Sequence, residues 1–188
     1  AIYGCMDETA YNYNPSATVD DDSCYNVDSN VVFTDCNMSI LIEEITVSDF
    51  SISLNNDEIP IGAVLGVFYT NDEGQLVCGG SSPWLGESTT VAAFGDDTST
   101  EEKDGFAAGE NLDNWILFIG DQVIDMDSNG ASMSSASGFS PTWSCNGFGQ
   151  LTDVNFEGSD IVYVYGCGDN SACNYDSEST LDDSLIGE

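Results

Sequence analysis

Against 34 aspartates and glutamates this chain sets a single basic residue, Lys103, and no histidine, for a formal charge of −33. Self-repulsion on that scale costs stability unless counter-ions neutralise it. A compact fold therefore needs a substantial apolar core. One is available: 41% of the 188 residues are hydrophobic and 11% aromatic, well above what disordered acidic chains carry. At this length the chain fits one domain with small appendages.

The same imbalance excludes whole classes of function. Affinity for nucleic acid comes from Lys and Arg neutralising phosphates, and polybasic docking to anionic lipid needs the same residues. Without histidine there is no imidazole base, no Ser-His-Asp or Cys-His pair and no His-ligated metal. Without arginine nothing clamps an anionic transition state. The expectation is a protein that is not an enzyme. The acidity fits a secreted calcium binder, a halophilic protein or an acidic solvating module. Seven cysteines favour an oxidising, extracellular setting, and their odd number leaves one outside any pairing within the chain. No apolar run is long enough for a membrane-spanning helix, so no membrane insertion is expected. A first residue Ala1 rather than Met is consistent with a removed signal peptide.

A repeat brackets the chain. Gly4-Cys5-Met6-Asp7 matches Gly166-Cys167-Gly168-Asp169, and the offset that superposes these two segments holds further along. Under it Ala10 meets Ala172, Asn12-Tyr13 meets Asn174-Tyr175, Thr18 meets Thr180, and Asp20-Asp21 meets Asp182-Asp183. Asn14 becomes Asp176, which keeps an oxygen ligand. Calcium takes six to eight hard oxygens at about 2.3–2.6 Å. Asp7, Asn12, Asn14, Asp20 and Asp22 offer such oxygens in the first copy, and Asp169, Asn174, Asp176, Asp182 and Asp183 in the second. Pro15 and the neighbouring Asn and Asp residues favour turns that wrap an ion. The expected cofactor is Ca2+. A Cys5–Cys24 disulfide would close the first loop, and Cys167–Cys173 would form a local bridge in the second. The competing reading is a solvated acidic loop stapled by a disulfide.

Segment 4–24 (GCMDETAYNYNPSATVDDDSC) resembles the short Cys- and Asp-rich repeats of large secreted surface proteins from marine Bacteroidetes, themselves similar to thrombospondin type 3 calcium repeats. Segment 166–186 follows the pattern through Asp183 and then departs, with Ser184, Leu185 and Ile186 in place of Asp22, Ser23 and Cys24. Within the middle of the chain, IGAVLGVF at 61–68, LVCGG at 76–80, Trp84 with Gly86, and AFGDDTSTEEKDGF at 93–106 resemble a recurrent domain of the same proteins. The resemblance implies a surface-exposed repeat module rather than a catalyst.

The middle reads as all-β. Runs at 31–33, 38–42, 45–54, 61–70, 75–78, 90–94, 115–119, 123–126, 151–156 and 161–165 alternate or are continuously apolar, and Gly, Asn, Asp and Ser clusters separate them. Turns are expected at Asn71-Asp72-Glu73-Gly74 and Gly120-Asp121. Roughly nine strands at this spacing predict a two-sheet β-sandwich of jelly-roll-like or immunoglobulin-like order, flanked by the two loop repeats. The organisation is thus 1–24 repeat, 25–165 sandwich, 166–188 divergent repeat. Among Cys36, Cys78 and Cys145 one pair should bridge the sandwich. Cys36 with Cys145 is preferred because each lies beside a strand near opposite ends of the domain, which leaves Cys78 over.

Two acidic clusters stand out. Asp96-Asp97 and Glu101-Glu102-Lys103-Asp104 share a long loop that could hold a cation, with Lys103 neutralising a neighbouring carboxylate. Asp125-Met126-Asp127-Ser128-Asn129-Gly130 matches the first half of an EF-hand loop, but position twelve is Ala136 and not Glu, so a β-turn is preferred. Trp115 sits in an apolar strand and reads as core, whereas Trp84 and Trp143 follow Pro83 and Pro141-Thr142 in loops and could stack on a glycan. The functional expectation is a non-enzymatic extracellular structural or adhesive surface protein. It would self-associate, as a filament or array subunit, or pack on neighbouring repeats of a longer chain. A calcium-dependent carbohydrate-binding module is the alternative.

Overall fold

The computed structural model describes residues 1–3, 6, 15–19, 31–44, 51–167, 171–172 and 174–186. The chain is all-β. Its strands are β1 Asn37–Ile42, β2 Ile52–Leu54, β3 Val64–Thr70, β4 Leu76–Pro83, β5 Thr89–Phe94 and β6 Trp115–Ile119. They continue as β7 Gln122–Asp125, β8 Ser132–Met133, β9 Phe148–Phe156, β10 Tyr165–Gly166 and β11 Leu181–Asp182, ahead of a 3₁₀ turn at Asp183–Leu185. No helix among the described residues is long and apolar enough to cross a membrane.

Two sheets face each other across one core. The first runs β2-β9-β1-β5, with β8 added against β9. It is mixed: β1 and β2 both lie parallel to β9, whereas β5 is antiparallel to β1. The second runs β4-β3-β6-β7 and is antiparallel throughout. Met38, Ile40 and Ile42 alternate inward on β1, and Leu65, Val67 and Tyr69 do so on β3. Trp115, Leu117 and Ile119 on β6 and Leu151, Val154 and Phe156 on β9 complete the shared core. This is the sandwich that the strand count predicts, with a mixed first sheet in place of the antiparallel order expected of either named topology.

The second sheet is apolar on both faces. Phe68, Ile116 and Phe118 stand between the inward residues of β3 and β6, and with Cys78 they form a smaller buried cluster that Val31 packs against. That is why VLGVFYT and WILFI are nearly continuous apolar runs and not alternating ones. The run at 31–33 forms no strand: Val31 supplies this cover, while Val32 and Phe33 are exposed, Phe33 edge-on to Phe94.

Strand boundaries differ from the sequence reading where glycine intervenes. β4 runs on through Gly79-Gly80 to Pro83 and does not stop at Cys78. A Cβ at Gly80 would overlap the Ala92 carbonyl oxygen on β5, so the glycine marks where the two sheets come into backbone contact. Of the run at 45–54, Ile52–Leu54 form a strand, and residues 45–50 lie outside the described set. Of the run at 161–165 only Tyr165 enters a ladder.

Candidate functional site: the paired connectors

The repeat seen in sequence is also a repeat in hydrogen bonds. In the N-terminal copy Tyr3 bridges Val19 in parallel, the Thr18 and Val19 amides both donate to the Ile2 carbonyl, and the Ile2 amide donates to Thr18 Oγ1 at 3.0 Å. In the C-terminal copy Tyr165 pairs Leu181 in parallel, the Thr180 and Leu181 amides donate to the Val164 carbonyl, and the Val164 amide donates to Thr180 Oγ1 at 3.0 Å. Every partner is displaced by the offset that carries Gly4 onto Gly166. The threonine hydroxyl closes the turn on the entering strand, which explains why Thr18 and Thr180 match. The bonded unit starts before Gly4 and Gly166, at Ile2-Tyr3 and Val164-Tyr165. Tyr3 and Tyr165 are identical at that offset, so this earlier start was legible and was missed.

The C-terminal copy is seated on the sandwich. Leu181 is 5% exposed and belongs to the core, with Tyr165 packed against it. The Tyr165 hydroxyl donates to the Ile61 carbonyl at 3.0 Å. Gln122 grips the approach strand by donating from Nε2 to the Val162 carbonyl and accepting the Val162 amide on Oε1. Two glycines receive the connector. A Cβ on Gly62 would lie 3.2 Å from Leu185 Cδ1, and one on Gly120 would lie 2.9 Å from Thr180 Cβ. Both have positive φ, at 94° and 59°, so the turns that carry them are shaped for glycine. Burial pushes the Tyr165 phenol above the usual tyrosine range, with Tyr163 adding to it.

The expected calcium ligands Asp7, Asn12, Asn14, Asp20, Asp22 and Asp169 lie outside the described residues. Of the others, Asn174 is exposed in the turn before Tyr175. Asp176 Oδ1 accepts the Glu178 amide, and Asp182 Oδ1 accepts the Ser184 amide as it caps the 3₁₀ turn that Asp183 opens. That bond holds the Asp182 carboxyl below the usual carboxylate range. Each of these two carboxylates keeps a second oxygen of the hard kind calcium prefers. No group of three or more Cys, Asp or Glu side chains gathers at one point among the described residues.

Cys36 and Cys145 are disulfide-bonded, with Cα atoms 5.2 Å apart and a sequence separation of 109. Around the bond the Gly95 amide donates to the Cys36 carbonyl, the Asn146 amide donates to the Asn37 carbonyl, and Trp143 Nε1 donates to the Ala93 carbonyl at 2.9 Å. Cys78 is buried, its Sγ 3.5 Å from the Gly80 carbonyl oxygen. Cys5, Cys24 and Cys173 lie outside the described residues. The expected Cys167–Cys173 bridge therefore has one partner outside the described residues; Cys167 itself is half-buried. Backbone contacts also close its segment, through the bridge to Tyr175 and the Asp176 amide donating to the Cys167 carbonyl.

The tryptophans depart from the exposure expected of them. Trp84 and Trp143 are 3% and 5% exposed and line the core, so neither ring presents a face for a glycan. Trp143 lies over Gly95, where a Cβ would strike its ring, and Trp84 buries an Nε1 that has no acceptor among the described residues. The proline beside each marks a loop, and the loops fold inward. Trp115 is core, with Nε1 donating to the Leu112 carbonyl.

The loop 96–104 is built on itself. Asp104 Oδ1 accepts the Asp97 amide and Asp96 Oδ1 accepts the Asp104 amide. Lys103 fastens it to the end of β3: Nζ lies 2.8 Å from Glu110 Oε2, donates to the Thr70 carbonyl at 2.6 Å and stands 5.4 Å over the Tyr69 ring. Burial, then Asp104 and Asp96, pushes the Tyr69 phenol up to about 12. Lys103 and Glu102 also border a depression of about 170 Å³ with Asn71, Asp72 and Glu73. The Asp125–Gly130 segment is a turn: Asp127 accepts the Asn129 amide at 2.8 Å and Asn155 Nδ2 at 3.2 Å. These bonds lower its pKa, the Asn129 amide most.

The chain matches no protein-family model, no curated protein and no solved structure.

Proposed function

We propose that this chain is a non-enzymatic extracellular module of a surface assembly, in which the sandwich is a spacer and the two connectors are joints to further modules of the same kind. The observation that supports this most is the same hydrogen-bonded turn occurring before and after one sandwich along the chain, partner for partner at one constant offset. A binding protein has no need of duplicated ends, whereas a building unit joins through them. The Cys36–Cys145 bond is compatible with an oxidising compartment. The lone lysine is engaged by Glu110 and Thr70, which leaves no cation for chemistry on an anionic substrate among the described residues. Calcium is proposed as the connectors' resident ion, held by the carboxylates and amides of the repeats. The burial of Trp84 and Trp143 removes the aromatic platform on which a glycan reading rested.

Sedimentation and negative-stain microscopy of the purified protein, with calcium and with chelator, test the assembly. Head-to-tail oligomers or filaments that loosen on chelation support it. A monomer at high concentration in both conditions, with no polymer in native material, removes it. Ligands that bind only the folded state stabilise by mass action, so an unchanged melting curve on chelation removes calcium alone.

A further inference from the structure

The two connectors carry the same turn, with Tyr and Thr identical and two aliphatic positions similar, while Leu185 over Gly62 has Ser23 as its counterpart; only the C-terminal one is seated. Ile2 stands where Val164 does, Tyr3 where Tyr165 does, Thr18 where Thr180 does and Val19 where Leu181 does. Leu181 is 5% exposed in the core, while Val19 is 37% exposed. Tyr165 gives its hydroxyl to the Ile61 carbonyl, while Tyr3 is 65% exposed. Ile2 is exposed as well. The chemistry of the seat is explicit in this molecule: the Ile61 carbonyl, the open space over Gly62 and Gly120, and the amide of Gln122. Tyr3 retains the hydroxyl, Val19 a branched aliphatic side chain and Thr18 the same hydroxyl and methyl. An exposed aliphatic-aromatic face on a chain of charge −33 is held against water at a cost, and the complement that its C-terminal counterpart meets lies at the end of the sandwich.

We propose that the N-terminal connector is a plug whose Tyr3–Val19 face seats on the end of a second sandwich of this kind, making there the contacts that Tyr165 and Leu181 make here. The inference takes the modular reading above as its premise and adds the surface and its partner. The seat on this chain's own sandwich is filled by its own C-terminal connector, so the partner is a sandwich that presents the Ile61–Gly62 and Gly120–Gln122 surface open. Because Ala1 corresponds to Tyr163 under the repeat's offset, joining Val162 of one chain directly to Ala1 of another puts Ala1–Val19 in the register that 163–181 hold here. Val162, which Gln122 grips, is retained at that junction.

The test is therefore a tandem of residues 1–162 followed by residues 1–188, compared with the single chain. Val19→Asp is placed either in the central connector or in the leading one. Hydrogen exchange is followed at 59–66 and 115–125 of the first sandwich. In the central position the substitution should raise exchange there about tenfold or more and lower the melting temperature of that sandwich. In the leading position, and in the single chain, it should change neither. Val19→Leu in the central position should restore or exceed the unsubstituted protection, which separates seating from misfolding. Equal exchange for the central and leading variants overturns the proposal, as does a tandem whose first sandwich is unprotected with the natural central connector. A tandem that seats but neither polymerises nor responds to calcium leaves this inference standing and removes the functional reading above. Filaments with no position dependence do the reverse.

Discussion

Val19 and Leu181 close the same turn with the same backbone bonds, but Leu181 is buried in the core and Val19 stands in water. Tyr3 and Tyr165 differ in the same way. The local turn therefore does not decide whether a connector is anchored. What decides it is the seat: two glycines at positive φ, one carbonyl and one glutamine, all on the sandwich and far from the repeat in sequence. A chain of this design can carry the same turn at both ends and still hold them differently, since the anchoring sits in the complement and not in the turn.

The harshest way to break the comparison is to loosen the sandwich beneath it. Cys36→Ala with Cys145→Ala should lower global stability by about 2–5 kcal/mol, because a cross-link spanning so long a loop removes much unfolded-state entropy. Urea titration measures it. Protection at Thr180 and Leu181 should fall with the sandwich, and that at Thr18 and Val19 should hardly change.

A smaller and sharper contrast comes from matched truncations. Leu181→Ala removes a core side chain and should cost about 2–4 kcal/mol, whereas Val19→Ala should stay within about 0.5 kcal/mol in the single chain. Thermal denaturation of the two variants side by side checks the pair, and equal losses would contradict the difference in seating.

The smallest effect is in pH. The folded Tyr165 pKa is raised, so its contribution is complete below the unfolded value of about 10 and is lost as pH rises through the folded value. The folded Asp182 pKa is lowered, so its contribution is complete above about 3.9 and is lost as pH falls through the folded value. The C-terminal connector should loosen at both extremes. Absorbance titration of the phenols should show one tyrosine moving back to the ordinary range in Leu181→Asp, and no such change in Val19→Asp.

Much of the sandwich was legible because its signals are local. The apolar runs of β1 and β6 and the Gly120-Asp121 turn stand out without any neighbour, and the preference for Cys36 with Cys145 followed from the strands beside them. What was not legible depends on distant partners. The parallel pairing of β1 and β2 with β9 leaves no pattern in any one strand. The continuation of β4 through Gly79-Gly80 gave no local sign, because the reason for Gly80, the Ala92 carbonyl, lies on another sheet. Trp84 and Trp143 look exposed in sequence because prolines precede them, while burial depends on residues elsewhere in the chain, as Gly95 makes room for Trp143. The connectors were found through identity at a fixed offset, but the seat has no repeat of its own and so gave no sign.

Residue-resolved hydrogen exchange of the unmodified chain tests the central claim most directly. The amides of Thr18 and Val19 donate to Ile2, and those of Thr180 and Leu181 donate to Val164, at distances of 2.8 and 3.2 Å against 2.9 and 3.2 Å. If the seat and not the turn anchors a connector, Thr180 and Leu181 should be protected by orders of magnitude more, close to the level of β3 and β6, while Thr18 and Val19 exchange through local opening. Equal protection factors in the two copies would contradict the account.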